Sequence, residues 1–275
     1  MTIDTINKSP ADYGFRMPAE WEPHERTWMM WPCRTIVWPD LAATRRDYVK
    51  VAQAIREFEP LTMVVSPEDE SIARNMLGSD IELLVAPIDD SWARDAGPNF
   101  LVNDQGQLAG SAWTFNAWGE TYPTFENDNA IGEKILASAG AAAFVSDLIA
   151  EGGGVLVDGE GTVITSETCF LNPNRNPSMS KADIEKGLKD YLGIEKVIWL
   201  YKGFVEDSET DGHVDNVIEY IAPGKVIVQM SADLNNPNCE ILNENLSRLK
   251  NTTDAMGRKL EIIEFDYLTY TAQLE

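Results

Sequence analysis

The segment FVEDSETDGHVDN, residues 204–216, carries His213, one of only two histidines in the chain, with Asp215 two residues after it and Asp207 six before. An imidazole among carboxylates is equipment for proton transfer. An apolar run follows at residues 217–221, and if residues 213–215 open that strand, His213 and Asp215 share one face. Acidic turns before strands are also common as solvated loops, so the segment gains weight only from others like it. DDSWARDAGP, residues 89–98, sets Trp92, Arg94 and Asp95 together. A flat aromatic beside a carboxylate suits a planar cation, which needs a ring face and a bidentate edge. The plainer alternative is an Arg94–Asp95 ion pair with Trp92 filling a core. EGGG, residues 151–154, places Glu151 next to permissive backbone where a ligand can come close. No Lys-Ser/Thr follows, so it is not a phosphate loop.

Periodicity and turn chemistry supply the elements that must hold these segments. A strand is expected at 27–31, then a helix opened by Pro39 and Asp40, a strand at 61–65 and a helix from Ser66-Pro67 to about Leu77. A strand at 81–88 leads into the DDSWARD cluster. A hairpin over 99–102 and 108–115 turns at residues 104–106, and the polar, aromatic loop NAWGETYPTFENDN precedes a helix at 130–139. A strand at 142–149 runs into Glu151 and a hairpin turned at Asp158-Gly159. Ser180 with Asp183 starts a helix through Leu192, and a strand at 196–200 leads to the acidic loop and His213. A second hairpin turns at Pro223-Gly224, followed by a helix at about 237–249 and a strand at 261–265. Residues 1–13 read as a loose arm.

Polar clusters thus follow strand ends at Trp31, Trp92, Glu151 and His213, recurring about every sixty residues. That spacing describes repeated α/β units arranged around an axis, each giving residues to a common centre. The next cluster would fall near residue 273, where the sequence stops, so a last unit is expected to be missing.

Composition sets the outer limits. Across 275 residues, 44% are apolar and eight are tryptophan, enough for a substantial core. A net charge of −23 argues against nucleic acid and anionic membrane as partners and is compatible with a small cationic substrate. Three widely separated cysteines, Cys33, Cys169 and Cys239, indicate neither a disulfide framework nor a zinc ribbon. With no signal-peptide pattern at the N-terminus and no run long enough for a membrane span, a cytoplasmic protein is expected.

The segments MPAEWEPHE, DSWARDAGP, FNAWG, EGGG with VDGEGTVITSETCFLNPNRNP, and TDGHVDN together resemble the agmatine deiminase family, close to bacterial peptidylarginine-type deiminases. The matches run in order through most of residues 17–229. The resemblance implies a single α/β-propeller domain of repeated ββαβ-type units, five in the family and about four here, within the guanidino-group-modifying superfamily. It also implies hydrolysis of agmatine to N-carbamoylputrescine and ammonia, on the route to putrescine, without metal or cofactor. Carried over residue by residue, Asp95 and Asp215 resemble the carboxylates that grip the guanidinium, His213 the general acid/base, and Glu151 the partner that orients it. Trp92 is expected to stack on the substrate, with Trp118 and Asp207 as further pocket residues.

In that family a cysteine thiolate attacks the guanidinium carbon and water then hydrolyses the amidino-thioether. The family's nucleophile ends a glycine-rich C-terminal segment that has no counterpart here, and Cys169 matches a non-catalytic position. The chain as printed is therefore expected to be C-terminally truncated, without turnover, and prone to self-association through an uncovered strand edge. Arginine or peptidyl-arginine as substrate, and a non-catalytic guanidinium-binding remnant, are the alternatives. A zinc hydrolase using His213, Asp215 and Glu151 is disfavoured, because zinc sites favour several His or Cys ligands.

Overall fold

The computed structural model describes residue 3 and residues 5–266. The cluster expected near residue 273 therefore lies outside the described residues, as do residues 1, 2 and 4 of the expected arm. Within that arm, Pro10–Tyr13 forms a 3-10 helix with Pro10 buried and the Tyr13 ring 6.3 Å from that of Phe144. Contacts divide the chain into two units, Met1–Phe15 with Glu22–Gly152, and Arg16–Trp21 with Gly153–Glu275.

The first unit holds two three-stranded sheets. β1 (Thr27–Met30), β2 (Leu61–Val65) and β3 (Glu82–Val85) run parallel, with α1 (Leu41–Arg56) and α2 (Glu70–Leu77) as the crossovers that parallel strands require. This sheet departs from the ββαβ order expected of each unit. β2, LTMVV, is buried along its whole length, which is why it reads as an uninterrupted apolar run rather than an alternating one. α1 starts where expected because the Asp40 side chain accepts from the Ala43 amide at 2.9 Å. Asp40→Ala is expected to cost about 1 kcal/mol, read as a lower urea midpoint.

After α3 (Ala93–Ala96), the second sheet is built from β4 (Asn99–Val102) antiparallel to β5 (Leu108–Thr114), and β6 (Ala142–Ile149) parallel to β5. The predicted turn forms because the Asn103 carbonyl accepts from Gly106 N and its side-chain oxygen from Gln105 N and Gln107 N. The crossover to β6 contains α4 (Ala117–Glu120), α5 (Glu126–Asn129) and α6 (Ile131–Ser138).

The second unit repeats the ββαβ pattern twice. β7 (Leu156–Val157) pairs antiparallel with β8 (Thr162–Ser166), and β9 (Lys196–Leu200) returns parallel to β8 after α7 (Glu167–Phe170) and α8 (Lys181–Leu192). Asp158 shapes the first turn by accepting from Glu160 N and Thr162 N. Ser180 and Asp183 make the reciprocal capping box at the start of α8. β10 (Ile218–Ala222) and β11 (Lys225–Met230) form the hairpin at Pro223-Gly224, and β12 (Glu261–Asp266) joins β11 in parallel after α9 (Cys239–Lys250). Ile164, Leu200, Val214, Val226 and Leu242 centre its core. Among the described residues, no helix is long and apolar enough to cross a membrane.

Candidate active site

The third strand of each of the first three sheets runs into one of the clusters singled out by sequence: β3 into residues 89–95, β6 into Glu151 and β9 into residues 204–215.

In the first unit the structure gathers Trp92, Asp95 and Trp118. Asp95 lies on the single turn of α3 and is 7% exposed, and its Oδ2 accepts from the Trp118 indole at 3.2 Å. Trp118 belongs to a left-handed turn, with φ of 51°, 56°, 83° and 63° at Ala117, Trp118, Gly119 and Glu120. Three of these four are not glycine, so the turn is strained, and the Asn116 side chain holds it by accepting from Gly119 N at 2.9 Å. The sequence expects only a loop here.

Trp92 is 36% exposed. Trp38 stacks on it at 5.6 Å with an interplanar angle of 23°, and Trp118 meets it edge-on at 5.9 Å. Asp90 fixes the stack by accepting from both indoles, Trp38 at 3.1 Å and Trp92 at 3.2 Å. Burial pushes the Asp90 carboxyl above the ordinary carboxylate range, against the hydrogen bonds from Trp38, Ser91 and Trp92 and the charge of Arg34. Asp90 belongs to the DDSWARD cluster that the sequence singles out, whereas Trp38 is a contributor that sequence reasoning missed, because it sits 54 positions from Trp92 with no motif around it.

Glu151 is 1% exposed at the end of β6. The next residue, Gly152, lies so close to the α3 turn that a Cβ there would be 2.0 Å from the Arg94 carbonyl oxygen. The Glu151 backbone and the Asp95 turn are thereby held side by side.

In the second unit, the Asp207 carboxylate and the His213 backbone come together. Residues 213–215 do not open a strand: His213 caps a 3-10 turn over Val214–Asn216, and β10 begins only at Ile218. His213 is 3% exposed while Asp215 is exposed, so the shared-face expectation fails. The cause is the Asp207 carboxylate, which draws the loop into a turn by accepting from Thr210 N, Thr210 Oγ, His213 N and Asn216 Nδ2. The loop is also tied down from α9. Asn245 takes the Tyr201 amide at 2.7 Å and donates to the Lys202 carbonyl, and Asn238 takes the Val205 amide and donates to Glu206. Both asparagines are fully buried, and their amides satisfy a loop backbone that has no ladder.

Comparison with known proteins matches this architecture. The fold class is the α/β propeller type, defined by small repeated sheets whose third strands deliver polar side chains. Residues 16–272 match the family model described as Porphyromonas-type peptidyl-arginine deiminase, and the chain belongs to that family of C–N hydrolases. A protein of Legionella pneumophila is 47% identical over 260 residues, covering 94% of this chain and 74% of its own. Agmatine deiminase of Pseudomonas aeruginosa is 44% identical, with 92% of this chain and 71% of that protein covered. The structure of Enterococcus faecalis agmatine deiminase superimposes with a TM-score of 0.93 at 38% identity, covering 98% of this chain and 75% of that one.

Proposed function

We propose that this chain binds agmatine through its guanidinium group and supplies the acid–base machinery for its hydrolysis to N-carbamoylputrescine and ammonia, a step towards putrescine. The observation that carries the reading is Asp95: a buried carboxylate, oriented by Trp118 and bordered by a tryptophan stack, has the chemistry to take a planar cation. Relatives from P. aeruginosa and E. faecalis named as agmatine deiminases support it.

In this reading Asp95 and Asp215 take the guanidinium edges, Trp92 its face, and Trp118 and Asp207 shape the pocket. His213, oriented by Glu151, first protonates departing ammonia and then deprotonates the attacking water. The first of these steps follows attack by a thiolate, which forms a C–S bond to the guanidinium carbon before ammonia leaves; in the second, water adds to that carbon and the C–S bond breaks, releasing the carbamoyl product and the thiol. The C. jejuni agmatine deiminase structure with substrate bound is of a cysteine-to-serine variant, in keeping with a sulfur nucleophile.

We assign that step to none of the three cysteines here. Burial, followed by the charges of Asp90, Asp128 and Asp69, pushes the Cys33 thiol up to about 12, far from a thiolate at neutral pH. Cys169 and Cys239 are 1% and 8% exposed. The 275-residue chain is therefore proposed to bind without turnover, in the cytoplasm and with no metal or cofactor. The family model's description favours a second reading, in which the guanidinium is that of arginine in a peptide.

Calorimetric titration with agmatine, arginine and a blocked arginine peptide, followed by an ammonia assay, separates these. Agmatine is expected to bind most tightly and to release no ammonia. Absence of agmatine binding would overturn the first reading, tighter binding of the peptide would move the case to the second, and ammonia release would overturn the lack of turnover. Asp95→Asn is expected to weaken agmatine at least about tenfold, the worth of one charge-assisted hydrogen bond. Asp104→Asn, in an exposed turn, should leave affinity unchanged.

A further inference from the structure

Arg175, in the NPNRNP segment after α7, is fully buried, which is unusual for a cation. Its guanidinium forks onto the residues immediately ahead of Gly212-His213. Nη1 donates to Asp211 Oδ2 at 2.9 Å and Nη2 to the Thr210 carbonyl at 3.2 Å, while Asn174 adds a second donor to Asp211 Oδ2 at 2.8 Å. Asp211 has φ of 60° and Gly212 of 90°, so this stretch takes two successive left-handed residues, the first of which is not glycine. A backbone in that state persists only where its surroundings over-determine it.

The surroundings do so from three further directions. Asp207 holds His213 N at 3.1 Å, and Ser166 Oγ donates to the Gly212 carbonyl at 2.6 Å. Gly203 lies directly against Gly212, where a Cβ would be 2.2 Å from the Gly212 Cα. The Arg175 fork grips the side chain of Asp211, the non-glycine member of the strained pair, together with the Thr210 carbonyl just ahead of it. A lysine offers a point charge at one place, whereas the planar guanidinium satisfies two acceptors in fixed geometry.

We infer that Arg175 is a positioning residue: its buried fork on Thr210 and Asp211 sets the backbone from which the His213 imidazole is presented. The inference rests on His213 being the proton-transfer group proposed above. The plain alternative is that Arg175 only stabilises the second unit, in which case its loss would loosen β8 and β9 as much as the His213 loop.

The chain contains two histidines, so the imidazole Cε1–H region of a proton–carbon NMR spectrum holds two resonances, and replacing His24 assigns them. In Arg175→Gln, the His213 resonance and its titration midpoint are expected to move while those of His24 stay. The His213 amide should exchange with solvent about tenfold faster, relative to the Ile164 and Ile198 amides of β8 and β9, as expected of local opening. An unchanged His213 signal would overturn the inference, and so would equal loss of protection at Ile164, Ile198 and His213. If Arg175→Gln does not fold, Asp211→Asn removes the charge partner from the partly exposed side, and the same readouts decide in the same way. None of these measurements uses substrate. Failure to bind agmatine would strike the functional reading alone, and an unmoved His213 would strike the positioning role alone.

Discussion

Gly152→Ala is expected to cost about 3 kcal/mol of folding stability, the upper end for forcing extra volume into a packed interior. The added Cβ would lie 2.0 Å from the Arg94 oxygen and 3.1 Å from its carbonyl carbon. Both are backbone atoms within a helical turn, so neither can rotate out of the way as a flexible side chain would. Relief requires the strand end that carries Glu151 to move away from the turn that carries Asp95. The damage should therefore appear twice, as a lower urea midpoint at unchanged slope and as weaker agmatine binding. Gly106→Ala is the control. Gly106 has φ of 71° and nothing within 4 Å of the added atom, so it meets only the left-handed penalty of about 1 kcal/mol. If Gly152→Ala loses no more than Gly106→Ala, the close approach of the two elements is not a constraint on the fold.

This glycine also shows where sequence reasoning stops. The EGGG segment is expected to admit a ligand, and at Gly152 it admits the chain's own Arg94 carbonyl. Hairpins at 104–106, 158–159 and 223–224 and the capping box at Ser180 and Asp183 were legible because their chemistry is local: the partners lie within a few residues. The clusters after β3, β6 and β9 were legible because the unit repeats. Conformations decided by distant partners were not. Nothing near His213 announces that Asp207 will bend the backbone into a 3-10 turn and leave Asp215 exposed. The grip of Arg175 on Asp211, 36 residues away, and the Trp38–Trp92 stack depend on tertiary placement that no local pattern encodes. The left-handed turn at Trp118 has glycine at only one of its four positions, so the usual signal for positive φ is missing at the other three.

The acidic cluster behind the tryptophan stack carries the second large prediction. Asp128 is 3% exposed, and burial, with the charges of Asp89 and Asp90 adding and that of Arg34 opposing, raises its pKa from 3.8 to about 7. It anchors the cluster: Asp128 Oδ1 accepts from Asp89 N at 2.8 Å, and Asp89 in return accepts from Asn127 N and Asp128 N. A carboxyl whose native pKa exceeds its unfolded one binds its proton more tightly when folded. Its contribution is complete below about pH 4, is lost as pH rises towards 7, and is constant above that. Three pH units correspond to about 4 kcal/mol as an upper bound. Asp128→Asn keeps the acceptor for Asp89 N and carries no charge at any pH. The variant should therefore match the parent in urea unfolding at pH 4 and exceed it at pH 8 by up to that amount. Other carboxylates titrate over the same range, but they are common to both proteins and cancel in the difference. A variant-minus-parent stability that is the same at both pH values would mean that the Asp128 carboxyl binds its proton equally well folded and unfolded, and that its burial in the loop bearing Trp92 and Asp95 imposes no cost on the charged form.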